Sequence, residues 1–566
     1  SSISGLVFFF CVRGREEKIT MTDGINMMKE SVLHFYHNLS NVGFISLCLT
    51  CIIFLIIIYK QLFPDAKTKE KFILNSKINY LCDNILKGDP SDWDDFEDKP
   101  HIREKAIVNM AVKNGNTFTM HCRGYVADAL GSNKIIATCE PTLIKELFLN
   151  KIHTIKRPER YRLAQFLPGL DGVLFQDGER WKTHSRALIP VFHASNFNQY
   201  SSFMNEAAFV HVMHKSWPNE VKKDLLKSIR QLATTIVLAA GYGVDPLEEE
   251  GQELRFAINS YDEKARFRWA GKNPFKLIFA LGWVWWDAQR IKKAVKMIVN
   301  NRKNNKVDST KSNNDDDVSD KKPWNSNKTL NWIDRMIEFK FSIKDIFNEV
   351  NHLHAAHKAI AIIITFALYE LGLTKNKKWQ DKLRNELKSK FGTTKGTFPN
   401  KESIKNLPIT MAIWKETLRM HPISLGVLRE TGKDIETTVF VDNNKEGKII
   451  ILPKGTPIQI LLQALHFHPK YWKKPEEFNP NRWIDADDTS QRSTASDLKF
   501  KNVFVPFLDG QRQCQGRFLA ELEFIIVLNS IILNYEIEVP STYKFMLKPD
   551  FYPEMINEIP LIVKKL

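Results

Sequence analysis

The sequence predicts a mainly α protein with small β-sheets, preceded by one N-terminal transmembrane helix. Three observations predict it. Helical apolar periodicity dominates the chain after residue 100, strand-like runs are few and scattered, and one uncharged apolar run stands near the N-terminus. Of 566 residues, 43% are apolar and 26% charged, which supports a large core and excludes whole-chain disorder or collagen-like repeats. At about 150 residues per domain, length alone allows three or four domains. Lys and Arg number 81 against 65 Asp and Glu, a net charge of +16. That excess suits nucleic acid, an anionic membrane or an acidic protein, but it is spread through Lys/Asn-rich stretches like an ordinary solvated surface. Seven cysteines (Cys11, Cys48, Cys51, Cys82, Cys122, Cys139, Cys514) do not make a disulfide framework in so long a chain, so its aqueous part reads as reduced and intracellular.

Residues 1–41 receive no function; Met21, Met27 and Met28 are candidate starts within them. Val42 to Tyr59, VGFISLCLTCIIFLIIIY, is uncharged. As a helix it spans roughly 27 Å, close to the ~30 Å of a hydrocarbon core. Lys60, Lys67, Lys69 and Lys71 follow it and only Lys29 lies close before, so the positive-inside rule puts the rest of the chain in the cytosol. Residues 60–100 read as a linker with a membrane-proximal helix, and 101–566 as one large domain.

In that domain FTMHCRG and NKIIATC read as short strands, and EPTLIKELFLN as a helix. From Gly178 to about Met297 the pattern is helical. Residues 306–328 and 485–497 are polar and nearly devoid of apolar side chains, the composition of disordered insertions. Ser342 with Asp345 resembles a capping box and opens a helix to about Leu371, long enough to cross the whole domain. A charged helix follows from about Lys378 to Lys390, closed by Gly392; another, Ile409 to Met420, is stopped by Pro422. Strand-like KIIILP and TPIQILL come next, then a Pro-rich coil from Pro469 to Trp483. The last helix runs from about Gly516 to Leu533.

The most informative stretch is Phe507 to Ala520, FLDGQRQCQGRFLA. Cys514 follows a loop containing Gly510 and precedes the helix that begins near Gly516. Backbone N–H groups and the positive dipole end at a helix N-terminus favour thiolate, the metal-ligating form. Gly510 and Gly516 permit tight turns and close approach of a flat ligand, and Arg512 can pair with a carboxylate on it. Taken alone, a Cys before a helix is usually a core thiol.

The order Phe507, Gly510, Arg512, Cys514, Gly516, Ala520 resembles the haem-binding loop of cytochromes P450, FxxGxRxCxG with its trailing Ala. Glu416 and Arg419, in ETLR, share a helix face, where by themselves they would be a surface ion pair. They lie about 95 residues before Cys514 and are followed by PEEFNPNRW with Arg482, so both segments resemble the family's ExxR helix and PxxFxPxRW segment in the family's order. The resemblance implies a P450-like fold over roughly Phe118 to Val563. It implies haem b (iron protoporphyrin IX) ligated through iron by Cys514, and a buried structural cluster of Glu416, Arg419 and Arg482 holding the proximal loop. It also implies haem-propionate contacts from Arg429, Arg512 and Trp181. The basic residue expected four after Trp181 is Ser185, leaving Arg186 or His184 as substitutes.

The pattern breaks on the long helix. Where the family carries (A/G)Gx(D/E)T, an acid–alcohol proton relay, Lys358 stands at the acid and Ala359 at the Thr. A Lys buried there should titrate low or meet a carboxylate, unless it points away from the haem. The favoured reading is a monooxygenase hydroxylating a lipophilic substrate, with His357, water or a substrate hydroxyl delivering protons. Alternatives are a P450-type isomerase or dehydratase acting on an oxygenated lipid, and a non-catalytic membrane-held haem or scaffold protein. His352, His354 and His357 lack the Glu of an HExxH metal site. No GxGxxG or P-loop sits at a strand–helix junction, so electrons are expected from a separate NADPH-dependent reductase, or one assisted by cytochrome b5. No motif supports nucleic-acid binding. The resemblance and the anchor together imply a single-pass protein of the endoplasmic reticulum.

Overall fold

The computed structural model describes residue 86 and residues 103–566 apart from 122–133, 148–154, 159–168, 205–224, 265–273, 310–330, 393–405, 440–446, 485–502 and several shorter breaks. The expected anchor at 42–59 and insertion at 485–497 lie outside the described residues, as does the 60–100 linker but for Leu86. The insertion expected from Lys306 needs a correction at its start. Residues 306–309 continue the preceding helix to Ser309, because adding Lys, Val, Asp and Ser to an already formed helix costs only a few tenths of a kcal/mol each.

The chain opens with α1 (Arg103–Asn114), the hairpin strands β1 (Thr117–His121) and β2 (Lys134–Thr138), the short α2 (Pro141–Lys145), and β3 (Ile155–Lys156). Helices then dominate: α3 (Gly178–Leu188), α4 (Leu225–Ile236), α5 (Glu249–Lys264), α6 (Pro274–Ser309), α7 (Trp332–Glu338), α8 (Ile343–Gly372), α9 (Lys377–Phe391) and α10 (Pro408–Met420). Strands β4 (Val427–Thr431), β5 (Ile435–Val439), β6 (Lys448–Leu452) and β7 (Pro457–Ile460) precede α11 (Leu462–Phe467). Helix α12 (Arg517–Asn534) and strands β8 (Tyr535–Glu538), β9 (Leu547–Lys548), β10 (Glu554–Met555) and β11 (Ile562–Lys565) complete it.

A helix apolar on every side must be covered on every side. In α8, residues 360–368 are all buried, and α4, α6, α10 and α12 pack around the helix. Ser342 Oγ accepts the Asp345 N–H at 3.1 Å and donates to its carboxylate at 2.6 Å, so the cap forms with the acid on the Ser hydroxyl. Among the described residues no single helix is long and apolar enough to cross a membrane; the bent pair His357–Gly372 with Thr374–Phe391 has the composition but includes this core segment. Gly392, at φ +68°, closes α9, a left-handed position that glycine takes without strain.

The main sheet has the order β1-β2-β7-β4-β3. Its one parallel pair is β2 with β7, Ile136 opposite Ile458; the other neighbours are antiparallel. Its apolar faces form a second core with α1 and α11, separate from the helical core around α8. β5 pairs with β6, β8 with β11 and β9 with β10. The observed class is mainly helical with small sheets, as expected.

Candidate functional site

The ExxR pair is completely buried on α10. Arg419 donates to both Glu416 carboxylate oxygens, at 3.0 and 2.9 Å, in the planar fork that suits guanidinium. Arg482 Nε reaches Glu416 at 3.2 Å, and its other nitrogens donate to the carbonyls of Lys473 and Lys474. Two donors that sequence reasoning missed complete the carboxylate's shell: the Trp483 indole N–H at 2.9 Å and the Asn479 backbone N–H at 2.9 Å. Arg419 also donates to the carbonyls of His466 and Glu477. His466 in turn accepts the Val505 N–H at 3.2 Å, which ties the cluster to the segment entering the Cys514 loop.

That loop makes a short 3₁₀ turn over Gly510–Arg512, with Gly510 at φ +71°, before α12 begins after Gly516. The Cys514 N–H closes the loop on the Phe507 carbonyl at 2.8 Å, and the Phe507 ring lies 6.0 Å from Trp414 of α10. Cys514 is exposed on one side, while protein atoms crowd its sulfur on the other. Burial raises the thiol pKa, offset by a hydrogen bond from the Gly516 N–H. The two influences oppose each other: burial disfavours the thiolate, and the N–H at the start of α12 favours it.

Arg512 turns toward α3. It donates to the Gln176 carbonyl at 3.0 Å and to the Asp177 carboxylate, and its guanidinium lies 3.7 Å over the Trp181 ring. Burial and the neighbouring Arg157 lower its pKa to about 10, with Asp177 opposing, so it stays charged at neutral pH. Arg429, buried on β4, joins Arg512, Lys156, Arg157, Asp177 and Ile155 around one recess. Ser185 is buried and accepts from Gln515 Nε2 at 3.0 Å. Of the two proposed substitutes, Arg186 is exposed, one residue and so about 100° round the helix from Ser185. His184 is committed elsewhere. Its Nδ1 lies 2.5 Å from Glu349 of α8, whose carboxylate also accepts the Val173 N–H at 2.9 Å. Burial raises the Glu349 pKa and His184 pulls it down.

On α8, His357 and Lys358 are each 2% exposed, while Ala359 is half-buried and is the one residue of 357–368 that is not fully buried. Among the described residues no group of His, Cys, Asp and Glu could hold a metal ion. Sequence reasoning missed Glu349, Asp177, Lys156, Arg157 and Gln515. Only Glu349 carried a signal, as an acid inside a helix read as core.

The sequence model of the family described as cytochrome P450 matches residues 104–556. Cytochrome P450 4F5 of Rattus norvegicus is 25% identical over 401 residues, covering 67% of this chain and 71% of that protein. Cytochrome P450 4F2 of Homo sapiens is 24% identical over 440 residues, 74% of this chain and 78% of the relative. Cytochrome P450 734A4 of Oryza sativa subsp. japonica is 22% identical over 436 residues, with 73% and 76% covered.

Proposed function

The chain belongs to the cytochrome P450 family, and from that premise we propose that it hydroxylates a lipophilic organic substrate with O2 and electrons from a separate reductase. Haem is the family's cofactor, and its members are generally haem-thiolate monooxygenases. The donor set fits that group. A thiol stands at the mouth of α12 with an N–H on its sulfur, and the cations Lys156, Arg157, Arg429 and Arg512 line one recess, as two propionates require. Haem held by thiolate supplies O–O cleavage.

The chain's residues do the rest. Cys514 would hold the haem iron through its sulfur, with the Gly516 N–H stabilising charge there. Arg429 and Arg512 supply positive charge at the propionate edge, with Arg512 held in plane by Trp181 and Asp177. Glu416, Arg419 and Arg482 fix the strand–coil unit behind the loop. Residues 42–59 anchor the protein to the endoplasmic reticulum membrane with this domain in the cytosol, supported by their hydropathy and the lysines after them.

The observation that carries the reading is the Cys514 loop in its place between α3, α10 and α12. Reduced, haem-loaded protein under CO should show the red-shifted Soret band of thiolate ligation, and Cys514→Ser should lose it. A wild-type protein that binds haem without that band would overturn the assignment. A second reading draws on Ala359, where the half-buried wall of α8 offers no hydroxyl: rearrangement of an oxygenated lipid, which needs no proton relay. Product carrying ¹⁸O from ¹⁸O₂ in a reductase-driven reaction supports hydroxylation; turnover of a lipid hydroperoxide without reductase supports rearrangement.

A further inference from the structure

Two separate chains of contacts leave the carboxylate of Glu349 and end on either side of Cys514. The first passes through the main chain. Glu349 accepts the Val173 N–H at 2.9 Å, in a turn whose Gly172 carbonyl accepts from Phe175 and Gln176. The Gln176 side chain donates back to the Asp171 carbonyl at 2.9 Å. The Gln176 carbonyl and Asp177 then hold Arg512, two residues before Cys514. The second passes through α3. His184 meets the same Glu349 oxygen at 2.5 Å; one turn earlier Trp181 carries the Arg512 guanidinium, and next to it Ser185 accepts from Gln515, one residue after Cys514.

We propose that Glu349 is a positioning residue that fastens the Cys514 loop from both sides, so that the helix crossing the core sets the place of the ligand sulfur. The inference rests on Cys514 being the axial ligand. Glu349 touches neither substrate nor cofactor; it acts through Val173 and His184. Because it is wholly buried, its two contacts are not exchanged for water when the loop moves, and losing them frees both flanks at once. The outer pair Arg180–Asp345, with Arg180 also on Asp171, braces the same turn but is partly exposed and cannot substitute.

The same helix supplies a control. Glu370 of α8 forms a second buried His–Glu pair with His421 at 2.9 Å, and its carboxylate otherwise meets Asn376 rather than α3 or the turn at residues 171–177. Glu349→Leu and Glu370→Leu in haem-loaded full-length protein should lose comparable thermal stability. Only Glu349→Leu should accelerate conversion of the ferrous–CO complex from its thiolate to its thiol form, by roughly tenfold, and speed amide hydrogen exchange over residues 508–516. Glu349→Gln keeps an acceptor for Val173 and His184 and should restore most of both readouts; it also serves where the leucine variant does not fold. Equal effects of the two leucine variants, or an unchanged loop in Glu349→Leu, would overturn the proposal. If wild type shows no thiolate band, the ligand assignment fails instead, and the exchange readout still judges the coupling.

Discussion

Glu523 sits on α12, nine residues beyond Cys514, and is 3% exposed, with its Oε1 atom lacking any hydrogen-bond partner. Burial alone raises its pKa from 4.5 to about 8, so the carboxyl is protonated in the folded protein at neutral pH. The linkage has a definite sign. A raised folded pKa gives a contribution fully present below pH 4.5 that is lost as pH rises through about 8. At pH 7 the unfolded chain gains from ionising a group the folded chain keeps neutral. A gap of about 2.5 pH units from 4.5 to 7 corresponds to roughly 3 kcal/mol. Glu523→Gln has nearly the shape of the neutral acid and no such titration. It should therefore stabilise the protein by up to ~3 kcal/mol at pH 7 and by almost nothing at pH 4. With ~2 cal/mol/K of unfolding entropy per residue over a domain of this size, that is a rise in Tm of about 3 °C. Thermal melts of haem-loaded wild type and variant at pH 4, 5.5, 7 and 8 make the test. A shift of equal size at every pH, or a variant less stable at pH 8, would refute the reasoning.

Glu416→Gln strands Arg419 and Arg482 beside a neutral amide and should cost about 3–5 kcal/mol, read as loss of folded, haem-retaining protein on expression. His466, fully buried, has its pKa lowered from 6.5 to about 3, so below pH 6.5 only the unfolded chain gains a proton and stability falls. Between pH 7 and 5 this group should remove about 2 kcal/mol, seen as the difference between wild type and His466→Gln in denaturant titrations. Gly510→Ala should destabilise the chain with or without haem, because its φ of +71° strains any side chain. Gly516→Ala places its Cβ at ordinary contact distances of 3.8 Å and 3.9 Å from Phe192 and Cys514, so the haem-free protein should keep its melting temperature while haem incorporation drops. Ala359→Thr should raise the ratio of product to peroxide in reductase-driven turnover; an unchanged ratio removes this position from proton delivery.

The fold was legible wherever a local rule and the apolar pattern agreed. Ser342, Gly392 and Pro422 bound their helices where capping chemistry says they should, and the length of the Ser342 helix announced one that crosses the domain. The Cys514 loop and the Glu416 cluster were legible as motifs, since each is short and chemically unusual. What sequence reasoning missed was set by long-range packing. Trp483 was part of a quoted motif, but only the fold turns its indole onto Glu416. Lys156 ends a two-residue strand with no pattern of its own and Arg157 follows it; both come beside Arg429 because β3 pairs with β4. Ser185 and Arg186 are neighbours in sequence, yet one step along α3 buries the first and exposes the second, a difference that spacing alone does not reveal.

That same step along a helix decides how the departures on α8 are to be read. Lys358 and Ala359 occupy adjacent family positions, yet they lie about 100° apart and meet different surroundings. Lys358 is 2% exposed within packed protein, whereas Ala359 borders the less crowded side. A cation stands where the family has an acid, and Lys358 carries it into the buried interior of the domain, where a charge is costly unless it is paired. On the proposed reading, the departure that bears on proton delivery is Ala359, which puts a methyl group where the family carries a hydroxyl on the half-buried side of α8. An α8 lacking that hydroxyl leaves His357, water or a substrate hydroxyl to carry protons if the enzyme hydroxylates, and demands none if it rearranges.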